Sequence, residues 1–365
     1  MLYKLKDIFD LQMGKTPSRN NIEYWNTNDY KWVSIADLTK TDKYIYDTKE
    51  YLSKKAVNES GIKIIPANTV IMSFKLSIGK TAITAEDMYS NEAIMAFHDK
   101  HIVEILPEYI FYLFKYKNWD DGSNKAVMGK TLNKAILSEV EIDICSIEEQ
   151  RKIVNVLDKI MNLISARKKE LSYLDTFTKA RFVELFGDPI INSKGLETKE
   201  LNEVLVLKAG DFTAASDISV EPTEINIYPC YGGNGIRGYV AEYNQEGEYS
   251  LVGRQGALSG NVQYATGKFK NTEHALLVKP IIRMNSIWLN QLLLNLDLKR
   301  YQTGAAQPGL SVKNLQDIQI IMVPIDEQRV FADFVHQIDK SKSAVKKALD
   351  ETQLLFDSLM QEYFG

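Results

Sequence analysis

The chain has 365 residues, 45% of them hydrophobic, with 44 Lys and Arg set against 48 Asp and Glu. That length accommodates two domains of ordinary size, and a net charge of −4 excludes a generic nucleic-acid coat whose grip comes from phosphate neutralisation. No apolar run approaches the roughly 20 residues that span a bilayer, MLYKLKDIFD lacks the apolar core of a signal peptide, and Cys145 and Cys230 offer no disulfide framework, so a reducing cytoplasm is the expected setting.

Residues 1–145 predict a first globular segment of mixed α+β class. It opens on Leu5, Ile8 and Phe9 and a Gly14-Lys15-Thr16-Pro17-Ser18-Arg19 loop, followed by the Lys31 to Leu38 stretch. Gly61 to Pro66 and Thr69 to Phe74 read as short β-branched strands bounded by turn residues, Glu108 to Tyr116 as a short helix, and Val140 to Cys145 as a closing strand.

Residues 146–188 predict a long helix. Ser146 with Glu149 three residues later forms a capping-box pattern, and no Gly or Pro follows until Phe186-Gly187. Apolar residues recur at alternating spacings of four and three along Ile153, Leu157, Ile160, Ile164, Leu171, Leu174 and Leu185, interrupted by Arg167, Thr178 and Arg181. That spacing lays them along one stripe for packing against another helix. At about 1.5 Å per residue such a helix reaches on the order of 55 Å.

After a Gly-Asp-Pro stop and a short link, residues 189–323 repeat the first script with other side chains. Leu201, Val204 and Gly210 echo Leu5, Ile8 and Gly14; Thr272 to Val278 echoes Asn91 to Phe97; Leu310 to Ile320 echoes Leu132 to Ile142. The ends of the two segments align and their middles diverge, as expected of one scaffold presenting two binding faces. Residues 324–365 then repeat the long helix at a constant offset of 178, so that Glu149-Gln150-Arg151 returns as Glu327-Gln328-Arg329 and Phe186-Gly187 as Phe364-Gly365. Its stripe carries Phe331, Val335, Ile338, Val345 and Leu349, with Lys342 and Thr352 as polar interruptions that would fix register or meet a partner.

The motifs of catalysis are missing. Gly-Lys-Thr occurs at 14–16, 79–81 and 129–131, but the earlier glycine of a phosphate-binding loop is replaced by Phe9, Phe74 and Asn124. Gly233 to Gly238 matches a dinucleotide pattern, yet a strand-like Tyr239-Val240-Ala241 follows where a helix is required, so a glycine-rich turn between strands is expected. His98 and His101 have no third ligand nearby and are expected at the surface, and no Asn-Pro-Pro-aromatic run of an amino-methyltransferase is present.

What remains is basic and polar material flanked by glycine in both segments. In the first it is Lys15, Arg19, Lys75, Ser77, Lys80, Lys125 and Lys130; in the second, Asn234, Arg237, Arg254, Gln255, Lys268, Lys270 and Gln307. Arg pairs with guanine and Gln with adenine in two-point fashion, whereas lysines in glycine turns suit phosphate contact. These residues are the candidates for DNA binding.

The duplicated Glu-Gln-Arg openings, the paired Phe-Gly ends, the Gly14-Lys15-Thr16-Pro17-Ser18 and Trp32-Val33-Ser34 opening, and the Tyr231 to Gly235 and Gly253 to Gly256 stretches carry a resemblance to type I restriction-modification specificity subunits over essentially the whole chain. That resemblance implies two target recognition domains held apart by two antiparallel, coiled-coil-like helices with pseudo-twofold symmetry. Each domain would read one half of a bipartite asymmetric DNA target, with half-sites about one helical turn, ~34 Å, apart. It implies no cofactor on this chain; two modification subunits would carry S-adenosylmethionine for adenine N6-methylation, and restriction subunits would bring ATP and Mg. The rival expectation is an assembly scaffold that binds partner subunits without reading DNA; a self-contained methyltransferase or nuclease is disfavoured by the missing motifs.

Overall fold

The structure, a computed structural model, describes residues 1–75, 77–119, 132–304 and 309–365. The chain divides into two compact units, residues 1–166 with 349–365, and residues 167–348. Two 40-residue helices, Ile147–Phe186 and Ile325–Phe364, cross that division, so each unit takes the opening of one and the close of the other. Units of this composition differ from four consecutive segments because the inner faces of the helices belong to the domain cores. Ile153, Leu157, Ile160 and Ile164 are buried with Phe356 and Met360 in the first core, and Phe182 and Phe186 with Phe331 and Val335 in the second.

In the first unit a five-stranded sheet takes the order Phe9–Met13, Ile94–Asp99, Val70–Ser73, Thr81–Thr84, Tyr44–Ile45. Val70–Ser73 and Thr81–Thr84 are buried at every position, which accounts for their β-branched, uncharged composition. A second sheet pairs Glu50–Leu52, Trp25–Val33 and Tyr89–Ser90. Helix Pro107–Tyr116 starts on the proline its first turn tolerates and buries six consecutive side chains, Tyr109 to Phe114. The strand expected over Gly61–Pro66 does not form. Gly61, at φ +64, ends a helix over Lys54–Ser60, and only Ile65 makes a bridge, to Met88.

The second unit holds a six-stranded sheet in the order Leu205–Ala209, Ala275–Pro280, Gln245–Gly253, Val262–Asn271, Tyr228–Gly232, Gly235–Val240. Helix Ser286–Asn295 covers it and buries Trp288 completely. The glycine-rich dinucleotide look-alike is here the tight turn joining two antiparallel strands, Tyr228–Gly232 and Gly235–Val240.

The two units repeat a frame down to single hydrogen bonds. Leu5 N–H donates to the Val140 carbonyl at 2.9 Å, and Leu201 N–H to the Ile318 carbonyl at 2.9 Å. Gly14 and Gly210 are pressed against backbone in the same way: a Cβ would lie 2.2 Å from the Asn91 carbonyl oxygen in one and 2.0 Å from that of Asn271 in the other. The repeated Gln is the strongest correspondence. Buried Gln150 accepts from Leu106 N–H at 2.9 Å and donates to the Glu104 and Cys145 carbonyls, both at 3.0 Å. Buried Gln328 accepts from Asn285 N–H at 2.8 Å and donates to the Val323 carbonyl at 2.7 Å. Each amide thus pins the residue just before the covering helix to the residue two places before the long one.

Along the long helices, Ser146 Oγ accepts from Glu149 N–H at 3.3 Å, while the Glu149 carboxylate meets Lys152. Ile153, Leu157, Ile160, Phe331, Val335 and Ile338 are buried; Leu171, Leu174, Val345 and Leu349 are half-buried. Two of the polar interruptions tie one helix to the other within the second unit. Arg167 Nη1 donates to the Ala348 carbonyl at 2.5 Å, and Lys342 Nζ lies 2.6 Å from Asp175 Oδ1. Near the end of the first helix the buried positions are Phe182 and Phe186, one residue beyond the expected Arg181 and Leu185, which are half-buried.

Candidate nucleic-acid interface

The polar candidates of the second unit converge where two turns meet. Gly253 has no room for a Cβ, which would lie 2.4 Å from the Gly233 carbonyl oxygen, so the Gly233-Asn234 turn and the Arg254-Gln255 segment touch backbone to backbone. Asn234 Oδ1 accepts from Asn261 Nδ2 at 2.9 Å. Arg254 is fixed through its main chain, donating to the His274 carbonyl at 3.0 Å and accepting from Leu310 N–H at 2.7 Å. Its guanidinium reaches the Glu273 carbonyl at 3.4 Å and remains half-exposed. Exposed Gln255 places Oε1 3.1 Å from His274 Nδ1. Five side chains able to donate or accept toward a base edge, Asn234, Asn261, Arg254, Gln255 and His274, are thereby gathered on rigid backbone.

Arg237 lies on Gly235–Val240 and Lys268 and Lys270 on Val262–Asn271, with Tyr228–Gly232 between those two strands. Exposed Arg237 lays its stem over Gly232. Lys268 Nζ stands 4.9 Å from the centre of the Tyr243 ring, and its bond to the Tyr243 hydroxyl raises its pKa above the ordinary value. Lys270 pairs with Asp211 at 3.6 Å, and Asp211 is held below the usual carboxylate range chiefly by the Asn244 amide. Gln307 lies outside the described residues.

The first unit presents different chemistry at its equivalent position. Beside Gly14, Thr16 donates its hydroxyl to the Glu92 carboxylate, which that bond and nearby Lys75 and Arg19 hold below its usual pKa. Lys15 extends to the Ser60 carbonyl at 2.5 Å. Arg19 is clamped by both carboxylate oxygens of Glu50 and stacked over Trp25 at 3.9 Å and Trp32 at 4.8 Å, where ring quadrupoles favour the cation. Lys80 donates to Thr39 Oγ1 at 2.7 Å, and the Ser77 carbonyl accepts from Ser73. Lys75 stands 5.3 Å from the Phe74 ring and has no ion-pair partner among the described residues. Lys125 and Lys130 lie outside the described residues.

Sequence reasoning singled out the cations and missed what holds them. Glu50, Glu92, Glu273 and His274 were legible only as ordinary polar residues, because their partners lie far away along the chain. His98 and His101 line a cleft of about 710 Å³ in the first unit with Arg151 and Glu104. His101 is exposed, as expected, and pairs with Asp99 at 3.2 Å. His98 is not a surface residue: it is half-buried, its Nε2 is without a partner, and burial pushes its pKa down. Among the described residues no cluster of three or more His, Cys, Asp or Glu side chains could hold a metal ion, and no helix is long and apolar enough to cross a membrane.

Comparison with known proteins matches both repeats. A family model described as type I restriction modification DNA specificity domain covers residues 1–173 and 193–352. The EcoprrI type I restriction enzyme specificity subunit of Escherichia coli is 30% identical over 355 residues, 93% of this chain and 88% of that protein. The MjaIX specificity subunit of Methanocaldococcus jannaschii is 31% identical over 242 residues, 61% of this chain and 55% of that protein. The solved S subunit of a type I restriction-modification system from M. genitalium has a like fold, with a TM-score of 0.61 at 17% identity over 100% of this chain and 96% of that one.

Proposed function

Because the chain belongs to the type I restriction-modification DNA specificity family, we propose that each of its two units reads one half of a bipartite, asymmetric DNA target. The observation that carries this reading is the contrast between frame and face. The close backbone approach at Gly14 and Gly210 and the amide clamp of Gln150 and Gln328 are repeated, while the surfaces beside them differ: Lys15, Thr16, Arg19 and Glu92 in one, Asn234, Arg254, Gln255 and His274 in the other. Selection for packing alone has no reason to keep the frame and diversify only the polar face.

Arg254 and Gln255 read base edges, and Lys75, Lys80 and Lys268 meet phosphates. Methyl transfer and cleavage fall to partners: two modification subunits with S-adenosylmethionine, and restriction subunits with ATP and Mg, in the cytoplasm. An overall charge of −4 fits a reader whose sequence-independent grip comes largely from those partners. The test is to express the chain with its modification subunit and map methylated adenines across a genome. A single asymmetric two-part motif is expected. Methylation without sequence preference, or a palindromic motif, would refute the reading and favour a scaffold that only assembles its partners.

A further inference from the structure

His274 sits behind the base-reading amide of Gln255 and touches both it and a carboxylate. Its Nε2 lies 3.1 Å from Glu273 Oε1, and its Nδ1 lies 3.1 Å from Gln255 Oε1. An ionised carboxylate only accepts, so Nε2 carries a proton in this arrangement. Nδ1 then has two states. In the imidazolium it also donates, and Gln255 turns its carbonyl oxygen to the ring, leaving its NH2 outward. In the neutral ring Nδ1 accepts, and the amide must rotate to offer NH2 inward and the carbonyl outward.

We propose that His274 is a positioning residue that sets which end of the Gln255 amide faces DNA, so that base selection by the second unit depends on the charge of this imidazole. The proposal rests on the reading that Gln255 contacts a base edge. With the NH2 outward Gln255 donates to a base acceptor such as guanine O6 or N7, and with the carbonyl outward it accepts from the amino group of adenine or cytosine, so rotation exchanges the bases it can bind.

The surroundings suit such a coupling. Among the described residues the charged partner of the ring is Glu273, and Arg254 stands beside the pair, donating its main-chain N–H to the His274 carbonyl and its guanidinium to the Glu273 carbonyl. Buried Cys230 lies near Glu273, and burial keeps its thiol protonated. The second carboxylate oxygen of Glu273 is buried and has no hydrogen-bond partner, so little else competes for the group that orients the ring. The equivalent place in the first unit carries no such pair: Glu92 is followed by Ala93, and its carboxylate is taken by the Thr16 hydroxyl. It serves as an internal control.

The experiment uses the full chain assembled with its modification subunit and duplexes carrying the mapped target with single-base substitutions. Binding is compared at about pH 6 and about pH 8, a span across which histidines titrate. Base preference at one position of the second unit's half-site is expected to change by about 5- to 100-fold between the two. Preference at the first unit's half-site stays constant, and His274→Gln removes the change. Wild-type preference that is the same at both pH values, while Gln255→Ala relaxes one base position, would overturn the role of His274 and leave Gln255 as a reader. If Gln255→Ala alters no position, the base-reading assignment fails and the proposal falls with it.

Discussion

Gln150 and Gln328 show how one side chain can make a repeat necessary. Each is a buried amide whose partners are backbone groups at the junction of strand, covering helix and long helix. Leucine fills the space but strands those groups, and an unpaired buried N–H or carbonyl costs about 1–3 kcal/mol. Gln150→Leu is therefore expected to lower stability by about that much and to speed hydrogen exchange at the Leu106 amide. Unchanged exchange there would show that the clamp does not hold the helix start. Glu248 gives a second residue-scale expectation, on pH. The hydroxyls of Ser286 at 2.7 Å and Tyr264 at 2.8 Å donate to its carboxylate and hold its pKa below the ordinary 4.5. A depressed folded pKa contributes stability that is fully present above the unfolded value and is lost as pH falls through the folded one. Glu248→Gln should thus leave neutral stability close to the Glu248→Ala level while flattening the loss of stability on acidification below about 4.5. An acid limb unchanged in slope would assign that loss to other carboxylates.

The long helices were legible as elements because an apolar stripe recurring over ten turns has no other physical reading, and the Ser146 cap marks where the first begins. The end of the stripe was less legible. A straight α-helix drifts by about 20° per heptad against a strict 3.5-residue repeat, so the last contacts move by one residue, from Arg181 and Leu185 to Phe182 and Phe186. There the two phenylalanines meet Phe331 and Trp288 at ring-centre distances of 5.5 to 6.4 Å. Phe182→Ala is expected to cost about 3–5 kcal/mol in denaturant unfolding of the second unit, and Leu185→Ala clearly less. Equal costs would restore the undrifted stripe. Gly61 to Pro66 was misread for a related reason: its residues have strand propensity, but a strand needs a neighbour, and only Ile65 finds one. The candidate DNA-binding residues were legible by type and not by state. That Arg19 is clamped by Glu50, or that Gln255 leans on His274, depends on pairs 31 and 19 positions apart that no local pattern records.

Across the whole molecule, two cores with a common frame make separable effects of substitution the natural expectation. The chain is balanced in charge, with nets of −1, +1, −1 and −3 over residues 1–146, 147–188, 189–324 and 325–365, so no segment is strongly basic as a whole. Specificity and grip must then come from few side chains, and those differ in kind. Arg254 is held by its own main chain with the guanidinium half-exposed, a geometry for one base position. Lys75 projects beside Phe74 without an ion-pair partner among the described residues, a geometry for phosphate. In the assembled complex, Arg254→Ala should relax selectivity at one position of one half-site, by about 1–3 kcal/mol between bases, and leave the other half-site intact. Lys75→Ala should weaken binding to all sequences alike and reduce the slope of log affinity against log salt by about 0.9. Measured by titration of duplex DNA at several salt concentrations, the two signatures cannot be exchanged. Loss of selectivity in both half-sites from Arg254→Ala alone would mean that the units do not read independently, and the division of the target between them would have to be abandoned.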